Sequence, residues 1–214
     1  MTENSGWFGR RLFVAAALAC LMSPATATTV LAEEPSEAQI LNALRPKPLT
    51  RSLSATPSGP SAEEQRFIDT LRAPTTRSLT VKEREQVAVI AQQKPSIDLE
   101  INFDFNSDVL NARGMVTATS LGQALSNPEM KGVTFLVAGH TDAKGGDAYN
   151  IDLSQRRSAA VKRFLVEKFG LTAENLVSVG YGKEKLKNTA DPFAAENRRV
   201  QVVNLANKAT AQGK

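Results

Sequence analysis

Hydrophobic and polar positions alternate most clearly in "SIDLEINFDF", where Ile97, Leu99, Ile101 and Phe103 share one side of an extended segment, the period-two signature of a strand with one buried face. "NARGMVTATSLGQALSN", residues 111–127, predicts a helix, and Val133 to His140 is a nearly unbroken apolar run of strand length with Gly139 near its end. A helix follows from Asp147 to Phe169, with Asp147 as its N-cap after Gly145-Gly146. Its apolar stripe reads Leu153, Ala160, Val161, Phe164 and Leu165. Strands at Asn175–Gly182 and Arg198–Leu205 close the set. The order strand, helix, strand, helix, strand, strand predicts an α/β (α+β sandwich) fold, a βαβαβ-β mixed sheet with helices on one face. The strands flanking the second helix should be parallel, joined by a right-handed crossover.

Upstream the pattern weakens. Residues 33–96 are rich in Pro, Ser and Thr and read as a flexible tether. A repeat lies inside it: "EAQILNALRPKPLTRSL" (37–53) matches "EQRFIDTLRAPTTRSL" (64–79). Each copy looks like a two-turn amphipathic helix (Ile40, Leu41, Leu44; Phe67, Ile68, Leu71) stopped by proline. Two copies are too few for a solenoid. Two readings stay open, a docking motif for an envelope protein or the outer-membrane surface, and a duplicated solvated spacer. A third short helix should open at Thr80, which has capping-box spacing to Glu83.

The first 32 residues have the order of a secretory signal peptide: Arg10-Arg11, the apolar run Leu12–Met22, then small residues up to Ala32. The arginine pair fits either a general or a twin-arginine export signal. Cleavage after Ala32 would remove Cys20, whereas "ALAC" (17–20) invites a lipoprotein reading with Cys20 acylated. The expected division is 1–32 signal peptide, 33–96 tether, 97–206 globular domain and 207–214 flexible tail.

With 214 residues, 42% of them hydrophobic, the chain suffices for one good core. Its formal charge of +4 is spread thinly, without the dense Lys/Arg run of a nucleic-acid binder, so no nucleic-acid partner is expected. An anionic polymer would suit it. One histidine and one cysteine give no metal-ligand cluster or nucleophile pair, so no metal, cofactor or catalytic residue is expected. His140 reads as a strand-end support, and Asp104 and Asp108 as caps of the helix that follows them.

The candidate chemistry lies in "GHTDAKGGDAYNIDLSQRR", residues 139–157. Arg157 stands four residues after Leu153 and four before Val161, in line with the apolar stripe, and Asn150 joins the same face. A guanidinium there needs an anion. Asp142 leaves the end of the preceding strand, where ligands of α/β sheets gather. The two residues are either a buried salt bridge or the halves of a site for a ligand carrying both an ammonium and a carboxylate.

These residues resemble a known family, the peptidoglycan-binding domain shared by the C-terminus of outer-membrane protein A, the peptidoglycan-associated lipoprotein and the stator protein MotB. The likeness runs from Asp98 to Leu205 through five blocks: "FDFNS" (103–107), "GHTDAKG" (139–145), "YNIDLSQRRSAAV" (149–161), "VGYGKEK" (179–185) and "NRRV" (197–200). It implies peptidoglycan as partner and the diaminopimelate of the stem peptide as ligand, with Asp142 on its ammonium and Arg157 on its carboxylate. Asn106, Asn150 and Arg198 match positions that line the same pocket. The resemblance also implies a non-catalytic module in the periplasm, on the cell wall. A lipid anchor at Cys20 would make the chain a link between outer membrane and wall.

Overall fold

In the computed structural model, residues 34–46, 61–72 and 79–205 are described. The signal peptide with Cys20 and Ala32, both Thr-Arg-Ser runs of the repeat and the tail 207–214 lie outside the described residues.

The expected mixed sheet is present. Its strands are β1 (Ser96–Leu99), β2 (Phe135–His140), β3 (Leu176–Gly182) and β4 (Val200–Asn204), in the order β1-β4-β2-β3. β2 and β3 are parallel, and β4 runs antiparallel to both of its neighbours. Every residue of β2 is buried, as expected of a strand packed on both faces, and this is why its sequence reads as a continuous apolar run. β1 stops sooner than its alternation suggests, because its partner β4 begins at Val200, opposite Leu99. Ile101 keeps its inward position without a ladder, and the chain turns back through a single bridge between Phe103 and Leu110.

Helix α4 (Ala112–Ser126) is capped by the Asn111 side chain, which accepts from the Gly114 N–H at 2.9 Å. The caps expected of Asp104 and Asp108 are thereby corrected. Asp108 lies 3.2 Å from Arg156 and 3.8 Å from Arg163 instead. Helix α5 (Asp147–Phe169) has the expected bounds, but Gly146 is its N-cap and offers no side-chain bond. Asp147, one place further in, complements the helix dipole and pairs with Lys183 at 2.7 Å. α5 lies so close to the sheet that a Cβ on Gly139 would stand 2.3 Å from the Ser154 carbonyl oxygen, and one on Gly180 2.4 Å from the Gln155 nitrogen. Only glycine permits that approach, which seats the α5 residues of the candidate site above the strand ends.

Alternation along the strands produces two cores. Phe135, Val137, Leu176, Val200 and Val202 meet α4 and α5 on one face. Leu136, Ala138, Val177, Val179, Tyr181 and Val203 point to the other. The helices on one face are therefore only part of the picture, because residues upstream of the domain cover the second face.

Those upstream residues form α1 (Glu37–Leu44), α2 (Ala62–Arg72) and α3 (Val81–Ala91). α1 joins the first core through Ile40, Leu41 and Leu44, and the Leu44 carbonyl accepts from the buried Asn204 side chain at 3.0 Å. α2 and α3 complete the second core with Ile68, Val87, Ala88 and Ala91. Both α1 and α3 carry full capping boxes, the latter between Thr80 and Glu83 as expected. In its described parts the stretch 33–96 is thus not an extended tether: composition concealed short apolar faces that find a partner only in the folded domain. No helix among the described residues is long and apolar enough to cross a membrane.

Candidate functional site

The five candidate residues come from four places in the chain. Asn106 sits in the loop between Phe103 and Leu110, Asp142 in the loop after β2, Asn150 and Arg157 on α5, and Arg198 just before β4. Arg157 and Arg198 line one cleft with Glu100, Phe103, His140 and Arg199.

Arg157 is held from two sides. Its Nε donates to the Ser107 carbonyl at 3.0 Å, and its guanidinium stands 4.9 Å from the centre of the Phe103 ring. Burial pulls the guanidinium below its ordinary range and the cations Arg156 and Arg198 act the same way, while Tyr149 and Asp142 oppose them. An arginine remains charged through such a shift. Among the described residues it has no ion pair, and neither terminal nitrogen has a hydrogen-bond partner. The salt bridge between Asp142 and Arg157 that the sequence left open is not formed.

Asp142 has different partners. One carboxylate oxygen accepts from the Lys144 N–H at 3.1 Å, the turn typical of an aspartate two residues before its donor. The other accepts from Arg198 Nη1 at 2.9 Å, in a pair where Asp142 is 16% exposed and Arg198 50%. The Asp142 carboxylate is therefore sheltered while its partner reaches into solvent.

The two asparagines act on the frame. Asn150 is buried, and its side chain donates to the Lys144 carbonyl at 3.0 Å, which ties the Asp142 loop to the first turn of α5. Asn106 takes a positive φ of 54°, rare for a residue other than glycine, and its side chain accepts from the Tyr149 hydroxyl. The loop that presents Ser107 to Arg157 is thus fastened to α5 as well. Reading the sequence missed Ser107, Phe103 and Tyr149 as parts of this frame. Ser107 acts through its backbone and leaves no signal. Phe103 was legible as an inward position of the alternation, though not as a platform for a cation.

Behind the site, His140 is buried and stacks on Tyr181 with ring centres 5.4 Å apart. Burial, with Arg199 adding to it, presses its imidazole down to about 3, so it is neutral. Arg199 donates to Asp98 at 3.1 Å, and Lys187 pairs with the same carboxylate at 3.0 Å. These two cations outweigh the burial of Asp98 and hold its carboxyl below the usual range. No group of three or more His, Cys, Asp or Glu residues with metal-holding geometry occurs among the described residues.

The OmpA family model matches residues 102–199, the span that contains all five candidates. Outer membrane porin F of Pseudomonas fluorescens is 36% identical over 107 residues, covering 49% of this chain and 32% of the relative. Outer membrane protein A of Serratia marcescens is 30% identical over 120 residues, covering 55% and 33%. The chain thus spans about a third of the length of these curated relatives. Among solved structures, the peptidoglycan-associated lipoprotein from Burkholderia pseudomallei is 29% identical with a TM-score of 0.40, over 53% of this chain and 92% of that one. The cell wall anchor of the T6SS from Pseudomonas aeruginosa is 19% identical with a TM-score of 0.44, over 61% and 100%. The match to the family model, on a strand and helix order read independently from the residues, makes residues 102–199 of this chain a domain of the OmpA family.

Proposed function

We propose that this chain is a non-catalytic peptidoglycan-binding protein of the periplasm, and that it holds the diaminopimelate of the stem peptide. Asp142 receives the ligand's ammonium and Arg157 its carboxylate. The observation that carries the reading is the state of Arg157: a half-buried guanidinium, oriented by Ser107 and Phe103, whose terminal donors and charge have no partner among the described residues. A structural arginine in such a place would be expected to have an internal anion. An arginine with open donors beside a sheltered carboxylate complements a ligand that carries an ammonium and a carboxylate on one carbon. Asn150, Asn106 and Arg198 complete the site, the first two by fixing its loops. The apolar faces of α1, α2 and α3 are occupied by the domain itself, so a partner of residues 33–96 would meet their outer faces or the stretches between them.

The test is co-sedimentation of the chain with diaminopimelate-type sacculi, comparing the parent with Asp142→Ala and Arg157→Ala. Both variants should stay in the supernatant while melting cooperatively within a few degrees of the parent. Equal pelleting of all three would overturn the site. Soluble muropeptides released by the parent would overturn the non-catalytic reading.

A further inference from the structure

Arg198 bears on the same ligand in a way that a pocket-lining role does not describe. Its Nη1 occupies one Asp142 oxygen at 2.9 Å, and the other oxygen is occupied by the Lys144 N–H. In the free domain the carboxylate assigned to the ligand's ammonium is therefore already matched by a cation of the protein. That cation is half-exposed and sits on the four-bond stem of an arginine, so it can leave at low cost, as exposed pairs do. Arg157 needs no such displacement.

We infer that Arg198 is a displaceable internal stand-in for the ligand's ammonium, and that its release makes the site selective for head groups bearing an ammonium and a carboxylate together. This rests on the reading of Asp142 and Arg157 given above. When the ligand's ammonium takes Asp142, Arg198 loses its anion near a second guanidinium, that of Arg157, on which the charge of Arg198 already acts. A ligand carrying a carboxylate on the same carbon supplies a new anion within reach of both arginines, and the released cation is paired again. A ligand with an ammonium alone, such as the side chain of a lysine-type stem peptide, displaces Arg198 and leaves two guanidiniums facing each other unopposed. Specificity of this kind comes from a penalty on the wrong ligand as much as from a contact with the right one.

Calorimetric titration of the full chain tests this, with two tripeptides identical except that one ends in meso-diaminopimelate and the other in lysine. The parent should favour the first by tenfold or more. Arg198→Gln removes the competitor: affinity for the lysine peptide should rise several-fold, affinity for the diaminopimelate peptide should fall or stay level, and the ratio should narrow by about tenfold. Arg198→Lys, which keeps a displaceable cation, should recover much of the ratio. Lys82→Gln removes one positive charge from the exposed side of α3 without touching Asp142, so it should leave the ratio unchanged, which separates displacement from a general change of charge. If Arg198→Gln binds both peptides with the parent's ratio, or weakens both equally, the inference is wrong and the wall-binding site survives. If the parent binds neither peptide, the site reading itself fails and the inference goes with it.

Discussion

Leu44→Ala probes the least expected part of the fold. Leu44 is fully buried at the end of α1, against the first core. Its carbonyl accepts the bond from Asn204, and the neighbouring Arg45 pairs with Glu129 through two bonds of 2.7 and 2.9 Å. The ion pair is about half-exposed and contributes less than about 1 kcal/mol. Truncating a buried leucine to alanine costs about 2–5 kcal/mol through lost transfer energy and the cavity left behind. α1 has only eight residues and would not hold as a free helix, so the loss has a ceiling. Once it exceeds the docking energy, α1 leaves the surface, Asn204 is hydrated instead, and stability falls no further. We expect about 3 kcal/mol, or roughly 6–12 °C in melting temperature for a protein of this size, read by urea and thermal unfolding. Hydrogen exchange should show α1 amides losing protection before those of β2. Asn42→Ala, on the exposed side of the same helix, should change stability by less than about 0.5 kcal/mol. If Leu44→Ala were equally silent, α1 would be a solvated spacer and the packing argument would be refuted.

Three further outcomes follow from the geometry. Gly139→Ala places a methyl group 2.3 Å from the Ser154 carbonyl oxygen. Because the obstacle is backbone, α5 must shift, at a cost of about 1–3 kcal/mol, and wall binding should weaken with it, measured by unfolding and co-sedimentation. His140 is held down to about 3 from an ordinary 6.5. The unfolded chain therefore takes up a proton first, and stability present above pH 6.5 should fall by about 2 kcal/mol on going to pH 5, a dependence that His140→Phe should lack in urea melts at the two pH values. Burial, chiefly, raises the Tyr181 phenol well above its ordinary range. Its contribution should be complete below about pH 10 and be lost as pH rises beyond it. Phenolate absorbance in a Tyr149→Phe background should show no ionisation of Tyr181 until the protein unfolds, and a normal titration of the folded chain would contradict this.

The sequence by itself determined the strand and helix order, because period-two and period-3.6 burial patterns are local properties of a chain whose sheet has two buried faces. It also determined the bounds of α5, and it singled out Asp142 and Arg157 as candidates, since a cation on an apolar stripe and a carboxylate at a strand end stand out from their neighbours. Pairing was beyond it. Whether Arg157 meets Asp142, or Asp142 meets Arg198 across the sheet end, depends on distances of a few Å between segments 56 residues apart in the chain, which no local pattern encodes. The cap assigned to Asp108 failed for the same kind of reason: Arg156, brought over on α5, pairs with Asp108, while the side chain of Asn111 caps the helix. Only the tertiary structure showed that α1, α2 and α3 belong to the fold. Their apolar faces are three or four residues wide, too small to hold a helix on their own, and become stable only against the two faces of the completed sheet.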